Sequence, residues 1–195
     1  MKELLIATNN RDKLSEIISL LPKNLFKTKS LLDFPNIFKT VEDQPTLEGN
    51  SIKKAKEAFE ATKMLTMSDD TGLEVYYLNL APGVYSARYA GENATYNDNV
   101  QKLLDELKGV PPRRRFARFK TSIAIIGNGI LKTCEGSVEG QIIETQKGIN
   151  GFGYDSIFIP KGSNKTYAEM DLSEKNIYSH RAKAFFKLLE FLQQI

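Results

Sequence analysis

Apolar and polar positions at the start of the chain predict a strand, a turn and a helix, in that order. The short apolar run at residues 4–7 suits a buried strand and ends in the polar segment 8–13. Four apolar residues then recur at helical spacing: Leu14, Ile17, Ile18 and Leu21. Pro22 ends that pattern. A strand, a polar turn and a helix in succession are typical of an α/β protein.

The same patterns predict the elements of the remaining chain. Helical spacing predicts three further helices: residues 51–62, 96–107 and 176–192. Runs of β-forming residues predict four further strands: residues 64–68, 121–126, 130–138 and 158–159. Gly127-Asn128-Gly129 stands between two of them, and Asn-Gly there favours a hairpin. We expect an α/β fold, a mixed central sheet flanked by helices, in a single two-lobed domain over residues 1–195 with a groove between the lobes.

Composition indicates an ordinary globular protein. Hydrophobic residues make up 41% of the chain and charged residues 26%, which excludes disordered and collagen-like chains. No apolar stretch approaches the roughly 18–20 residues of a membrane helix. The single cysteine, Cys134, cannot form an internal disulfide. The net charge of +3 is too small to indicate a nucleic-acid partner by itself. We expect a cytoplasmic protein without a signal peptide.

The polar turn after the first strand is a candidate phosphate site. It holds short polar side chains and one lysine: Thr8, Asn9, Asn10 and Lys13. The N-terminus of a helix offers amide N–H groups and a partial positive charge, which bind anions. The glycines of a P-loop are missing from this turn. The alternative is an ordinary helix cap beside a solvated lysine.

Two pairs of neighbouring carboxylates, Glu42-Asp43 and Asp69-Asp70, are candidates for a metal site. Neither pair accompanies a histidine or cysteine cluster, and oxygen ligands alone suit Mg²⁺. Successive side chains of a strand point to opposite faces, so Asp69 and Asp70 would not both face one cleft. The alternative is a pair of ordinary surface acids.

The predicted closing helix places Arg181 on its apolar stripe. The stripe comprises five residues: Ile177, Phe185, Leu188, Leu189 and Leu192. A guanidinium there needs an anion or another acceptor to offset its desolvation. Lys175, Ser179 and His180, the only histidine, stand close in sequence. Either these donors point into the groove, or Arg181 extends its charged end to solvent.

Two further segments could bind nucleotides or nucleic acid. The glycine-rich segment 148–155 lets the backbone approach a ligand, and its two aromatic rings could stack on a base. Residues 113–115 and Arg118 form a basic run. A nucleic-acid-binding module using residues 113–118 is therefore an alternative function, although a short charged run is more often a solvated face.

Six sequence blocks follow one another across nearly the whole chain. They are residues 7–10 with Lys13 and Glu16, Glu42 with residues 50–55, residues 68–73, residues 81–91, residues 151–155, and residues 174–176 with 179–181. Together they resemble the Ham1-type inosine triphosphate pyrophosphatase family. The resemblance implies two lobes around a groove, a homodimer, and Mg²⁺-dependent hydrolysis of ITP, dITP and XTP to monophosphate and pyrophosphate. Such hydrolysis keeps deaminated purines out of DNA and RNA.

The resemblance also implies roles for individual residues. Glu42 and Asp70 would hold the metal, and Asp70 would also be the catalytic base. Phosphate contacts are implied for Thr8, Asn9, Asn10, Arg11, Asp12, Lys13 and Lys54. Contacts to the base and the rest of the substrate are implied for Thr71, Phe152, Gly153, Tyr154, Asp155, Lys175, His180 and Arg181. Donors on His180 or Arg181 would match the carbonyl at purine position 6, where adenine carries an amino group. A related pyrophosphatase acting on modified pyrimidines is a further alternative.

Overall fold

A computed structural model describes residues 2–37 and 39–193, and these residues form seven strands and five α-helices. The strands are β1 (Lys2–Ile6), β2 (Phe26–Ser30), β3 (Leu65–Val75), β4 (Pro82–Gly83), β5 (Phe116–Gly127), β6 (Ile130–Ile142) and β7 (Phe158–Pro160). The α-helices are α1 (Arg11–Leu20), α2 (Leu47–Thr62), α3 (Tyr96–Glu106), α4 (Leu172–Tyr178) and α5 (His180–Leu192).

The strands form one mixed sheet in the order β2-β1-β3-β5-β6-β7, with β4 paired to β3. β1 runs parallel to both β2 and β3, whereas β4 and β7 run antiparallel to β3 and β6. The predicted mixed α/β fold is therefore confirmed. In the part of the chain that the structure describes, no helix is long and apolar enough to cross a membrane.

The chain divides into two compact units. Unit 1 comprises the described residues of 1–70, 121–136 and 181–195, and unit 2 comprises residues 71–120 and 137–180. The chain passes from one unit to the other within β3, β5 and β6 and again after the first residue of α5. The single two-lobed domain expected from the sequence remains a prediction.

Unit 1 is built on the first strand and the helix that follows it. Leu4, Leu5 and Ile6 are fully buried in succession, as expected of a strand with parallel neighbours. Asn10 caps α1, because its side-chain oxygen accepts hydrogen bonds from the backbone N–H groups of Asp12 and Lys13. The predicted strand, polar turn and helix are therefore confirmed, although Ile18 is 47% exposed.

Unit 2 has a core of its own. Its fully buried members include Leu73, Leu103, Phe158 and Tyr167. α3 supplies Leu103 and begins at Tyr96, the predicted start, directly after its cap residue Thr95. The hairpin of β5 and β6 turns at residues 128–129, also as predicted, and both strands extend further than their sequence patterns indicated.

The prediction of one closing helix over 176–192 was wrong. Ser179 has an extended backbone, with φ −67° and ψ 135°, and this conformation separates α4 from α5. The break changes the direction of the side chains before it, so Ile177 is 75% exposed and does not belong to the apolar stripe. Phe185, Leu188 and Leu192 are buried in the core of unit 1 as predicted.

Candidate active site

In unit 1, the ammonium group of Lys54 lies between two carboxylates. Its Nζ atom is 2.8 Å from Glu42 Oε1 and 3.0 Å from Asp70 Oδ1. Lys54 stands on α2, Asp70 on β3, and Glu42 in the segment before α2. Burial by itself would lower the pKa of Lys54, but the surrounding carboxylates outweigh burial and raise that pKa. Lys54 is therefore a charged side chain held in place by the acids it neutralises.

Asn50 joins the same cluster from the first turn of α2. Its Nδ2 atom donates to Asp70 Oδ2 at 3.1 Å, and its Oδ1 atom accepts from the backbone N–H of Gln44 at 3.0 Å. Asn50 is fully buried. The sequence patterns indicated no role for Asn50. The available signal was an asparagine inside a helix, where this residue is unfavourable unless its side chain has specific partners.

Asp69, the neighbour of Asp70 on β3, belongs to a different ion network. Asp69 Oδ2 is 3.4 Å from Lys13 Nζ and 3.1 Å from Arg181 Nε. Burial by itself would raise the pKa of Asp69, but Lys13, Arg181 and Lys54 outweigh burial and lower it. The two aspartates thus have separate direct partners, as the alternation of side chains along a strand predicts.

Arg181 is almost completely buried, and carboxylates of this chain surround its guanidinium. Besides its bond to Asp69, Arg181 Nη1 donates to Glu16 Oε2. The predicted need of Arg181 for an acceptor is thereby met inside unit 1. Contact with a purine base remains a prediction for this residue. From the sequence, Glu16 was indicated only as a member of one of the six blocks. Its partner Arg181 lies 165 positions away in the chain, so no local pattern could connect the two.

The turn from β1 to α1 brings the predicted phosphate residues together at the helix N-terminus. Thr8 Oγ1 accepts from the backbone N–H of Asn10 at 3.2 Å. The other side chains of the turn, Asn9, Arg11 and Asp12, are exposed. Lys13 is paired with Asp69, so the alternative of a solvated lysine was wrong. The turn therefore combines exposed polar groups with a lysine of fixed position.

In unit 2, Asp155 and Lys175 form a buried ion pair beside the glycine-rich segment. Asp155 Oδ2 also accepts from the backbone N–H of Phe152 at 2.8 Å. Lys175 Nζ lies 5.1 Å from the centroid of the Phe152 ring and 5.3 Å from that of Tyr167. Lys175 is thus held by one carboxylate and two aromatic faces.

The other predicted residues of unit 2 occupy different environments. Tyr154 is buried in the core, and its hydroxyl donates to the carbonyl of Ser86 at 2.9 Å. The ring of His180 stacks on Phe119, with centroids 4.6 Å apart and planes 10° apart. Thr71 is half-buried on β3, and Gly153 has a φ of +60°.

The basic run at residues 113–118 does not form one exposed surface. Arg115 is buried and donates to the carbonyls of Val110 and Leu107 at 3.0 and 2.7 Å, directly after α3. Arg118 pairs with Glu74, and Arg114 lies 4.7 Å from the centroid of Tyr77. Several of these arginines thus stabilise unit 2 itself, which weakens the alternative of a nucleic-acid-binding module.

The two carboxylates around Lys54 offer oxygen ligands of the kind that Mg²⁺ binds. Glu42 and Asp70 both direct an oxygen at one cationic nitrogen. Across residues 2–37 and 39–193 no group of three or more His, Cys, Asp or Glu side chains could hold a metal ion. Mg²⁺ commonly uses one or two carboxylates and completes its shell with water and substrate phosphates, so this pair fits it.

Comparison with known proteins places the chain in a family. The Ham1 family model matches residues 4–191, and the chain therefore belongs to the Ham1 family. Among its relatives, the dITP/XTP pyrophosphatase of Bacillus licheniformis is 46% identical over 195 residues, which cover 100% of both chains. The dITP/XTP pyrophosphatase of Desulforamulus reducens is 45% identical, over 99% of this chain and 96% of that protein.

Solved structures of Ham1 proteins share the fold. The HAM1 protein of Coxiella burnetii superimposes with a TM-score of 0.89 at 37% identity, and 100% of each chain is covered. The Ham1 protein of Staphylococcus aureus gives a TM-score of 0.87 at 36% identity, with 99% of each chain covered. The family resemblance stated from the sequence is confirmed.

Proposed function

We propose that this protein hydrolyses non-canonical purine nucleoside triphosphates, namely ITP, dITP and XTP, to the monophosphate and pyrophosphate with Mg²⁺. Relatives that bear the name dITP/XTP pyrophosphatase match the whole chain at 45–46% identity. The observation that carries the proposal within the structure is the arrangement of Glu42 and Asp70 around Lys54. An acid pair and a lysine suit the cleavage of an anionic phosphoanhydride.

Unit 1 supplies the groups for phosphate chemistry. Glu42 and Asp70 would hold Mg²⁺, which neutralises charge on phosphate oxygens when it is bound. Lys54 and Lys13 are fixed cations that would stabilise charge developing on the pyrophosphate leaving group. The exposed polar groups of residues 8–12 and the N-terminus of α1 would contact the remaining phosphate oxygens.

Asp70 is the proposed catalytic base. Its two oxygens are oriented by different donors, Lys54 on Oδ1 and Asn50 on Oδ2. A carboxylate of fixed orientation can accept the proton of the attacking water, which is typically worth about 10²–10⁴-fold in rate. Because the Lys54 ammonium compensates part of the carboxylate charge, it also reduces the repulsion between Asp70 and the phosphates of an approaching substrate.

Unit 2 supplies most of the groups proposed for recognition of the base and the rest of the substrate. Phe152 offers a stacking face, and Gly153 permits close approach of the backbone. Asp155, Lys175 and His180 are buried polar side chains of fixed position. Together with Thr71 and Tyr154 of unit 2, and with Arg181 of unit 1, they are proposed substrate-binding residues. Donors from His180 or Arg181 would distinguish a 6-carbonyl from the 6-amino group of adenine.

A substrate panel tests this proposal. Purified protein is incubated with Mg²⁺ and dITP, XTP, ITP, dATP, dGTP or modified pyrimidine triphosphates, and pyrophosphate and orthophosphate are measured separately. We expect pyrophosphate from dITP, XTP and ITP, and little product from dATP. Sequential release of orthophosphate, or a preference for modified pyrimidines, would contradict the proposal. Salt-sensitive oligonucleotide binding without turnover would favour the nucleic-acid module instead.

We further propose that the protein is a cytoplasmic homodimer. The homodimer is implied by the family resemblance, and the cytoplasm is favoured by the single cysteine, which cannot form an internal disulfide. Light scattering coupled to size-exclusion chromatography would give a mass near twice 22.0 kDa for the dimer. A mass near 22.0 kDa at micromolar protein concentration would contradict it.

A further inference from the structure

The side-chain amide of Asn50 bridges two parts of the proposed catalytic cluster. One end contacts Asp70, the proposed base, and the other contacts the backbone of Gln44. Gln44 lies two residues after Glu42, so Asn50 links the segment that carries one carboxylate to the side chain of the other.

The hydrogen bonds of Asn50 fix the orientation of its amide. The carboxylate oxygen of Asp70 accepts a hydrogen bond from Asn50, and the backbone N–H of Gln44 can only donate. The NH₂ group must therefore face Asp70 and the carbonyl oxygen must face Gln44. The reversed orientation would bring two acceptors together at one end and two donors at the other. In a residue with no exposed surface, such a mismatch would be costly.

Gly49 provides an independent observation on the same segment. A Cβ atom built on Gly49 would lie 2.9 Å from Gln44 Cβ and 3.1 Å from Thr46 Oγ1. The segment before α2 therefore packs directly on the first turn of the helix, where only glycine leaves enough room. Close packing at Gly49 and the hydrogen bond from Gln44 to Asn50 both hold this segment against the helix.

We propose that Asn50 is a positioning residue that holds Asp70 and the Glu42-bearing segment in one fixed arrangement. The inference rests on the proposed function, because it assigns Asn50 a role through the proposed base. Asn50 orients the carboxylate of Asp70 through Oδ2, and it fixes the backbone at Gln44 through its own carbonyl oxygen. It does not touch the substrate in this assignment.

Four variants separate the two hydrogen bonds. Asn50→Ala removes both. Asn50→Asp keeps the shape and the acceptor for Gln44 but replaces the donor to Asp70 with a like charge. Gly49→Ala displaces the segment and keeps the amide. Ser51→Ala is the matched control, because Ser51 is a fully buried polar residue of the same turn that bonds the Glu48 carbonyl and Ser122.

Two measurements are made on the full chain: steady-state pyrophosphate release from dITP, and hydrogen exchange of backbone amides in residues 40–46. We expect kcat to fall about 10–100-fold in Asn50→Ala and Asn50→Asp, as for other residues that orient a functional carboxylate. KM should change much less, because the proposed phosphate contacts remain. Exchange in the segment should rise in Asn50→Ala and Gly49→Ala, and not in Asn50→Asp or Ser51→Ala.

The outcomes distinguish this inference from the proposed function. If wild type is active and Asn50→Ala and Asn50→Asp keep the kcat of Ser51→Ala, the positioning role is overturned. Should Asn50→Ala fail to fold, Asn50→Asp and Gly49→Ala still test the two hydrogen bonds separately. A wild-type protein that releases pyrophosphate from no nucleotide contradicts the proposed function. The exchange pattern then decides alone: faster exchange in Asn50→Ala supports the role of Asn50, and unchanged exchange overturns it.

Discussion

At the scale of single residues, Asp70 is the strongest test of the proposed chemistry. Asp70→Asn keeps the volume and removes the negative charge, so the proposed base and one proposed metal ligand are lost together. We expect kcat to fall at least about 10²–10⁴-fold, the usual contribution of a general base. The fold should persist, because Asn keeps the volume and its one carbonyl oxygen can still accept from Lys54 or from Asn50. Turnover of dITP and a melting curve measure the two effects, and a variant with most of its turnover would contradict the assignment.

Substitution of Asp69 is expected to affect the stability of the fold more than substitution of its neighbour Asp70. Asp69 is fully buried against Arg181 and Lys13, so Asp69→Asn leaves part of their charge uncompensated. Breaking one partner of a buried ion pair typically costs about 3–5 kcal/mol. We therefore expect Asp69→Asn to lower the free energy of unfolding more than Asp70→Asn does, as measured in urea. Equal stability of the two variants would contradict the network around Asp69.

Arg181 combines a structural role with a proposed role in base selection. Removing its side chain would leave the buried carboxylates of Asp69 and Glu16 without their guanidinium partner. Arg181→Lys is therefore the more informative change, because it keeps the positive charge. A lysine cannot reproduce the fork that reaches both Asp69 and Glu16. We expect the preference for dITP over dATP, as a ratio of kcat/KM, to fall about tenfold or more. An equal loss for both nucleotides would show that Arg181 acts through structure or phosphate contacts.

At the scale of elements, the glycine-rich segment depends on the conformation of Gly151. Its φ is +71°, and a Cβ atom there would lie 2.1 Å from Asp155 Oδ2. Gly153 has a φ of +60°, but its Cβ atom would meet no atom within 4 Å. Both alanine variants bear backbone strain of about 1–2 kcal/mol. Gly151→Ala should also displace Asp155 from Lys175, so we expect it to melt at a lower temperature than Gly153→Ala. The reverse order would contradict this account of the segment.

Elements with a strong local sequence pattern were predicted, and elements without one were missed. α3 and the β5–β6 hairpin have helical spacing or an Asn-Gly turn, and the sequence predicted both. β2 has the sequence Phe26-Lys27-Thr28-Lys29-Ser30, with only one buried residue, and no local pattern indicated it. Its order comes from parallel pairing with β1, which is a tertiary interaction. The break at Ser179 was missed because serine is compatible with a helix in sequence terms.

At the scale of the whole molecule, the sequence named candidate site residues but not the side chains with which they pair. The resemblance named Glu42, Lys54 and Asp70. In the structure, Lys54 Nζ lies 2.8 Å from a carboxylate oxygen of Glu42 and 3.0 Å from one of Asp70. The resemblance named no partners for Arg181 or Asp69, because Glu16, Lys13 and Asp69 come from separate segments. Such pairings depend on the packing of α1, β3 and α5, which local patterns do not specify.

Removal of the divalent cation should separate activity from folding for the whole molecule. Lys54 already compensates Glu42 and Asp70, and the cores of both units are apolar, so neither depends on a metal for its packing. We expect EDTA to abolish pyrophosphate release from dITP and added Mg²⁺ to restore it. The melting temperature without substrate should change by less than the roughly 2–4 °C that 1 kcal/mol represents at this chain length. Chains that unfold on chelation would show that the cation is structural, and turnover that persists in EDTA would contradict the proposed metal site.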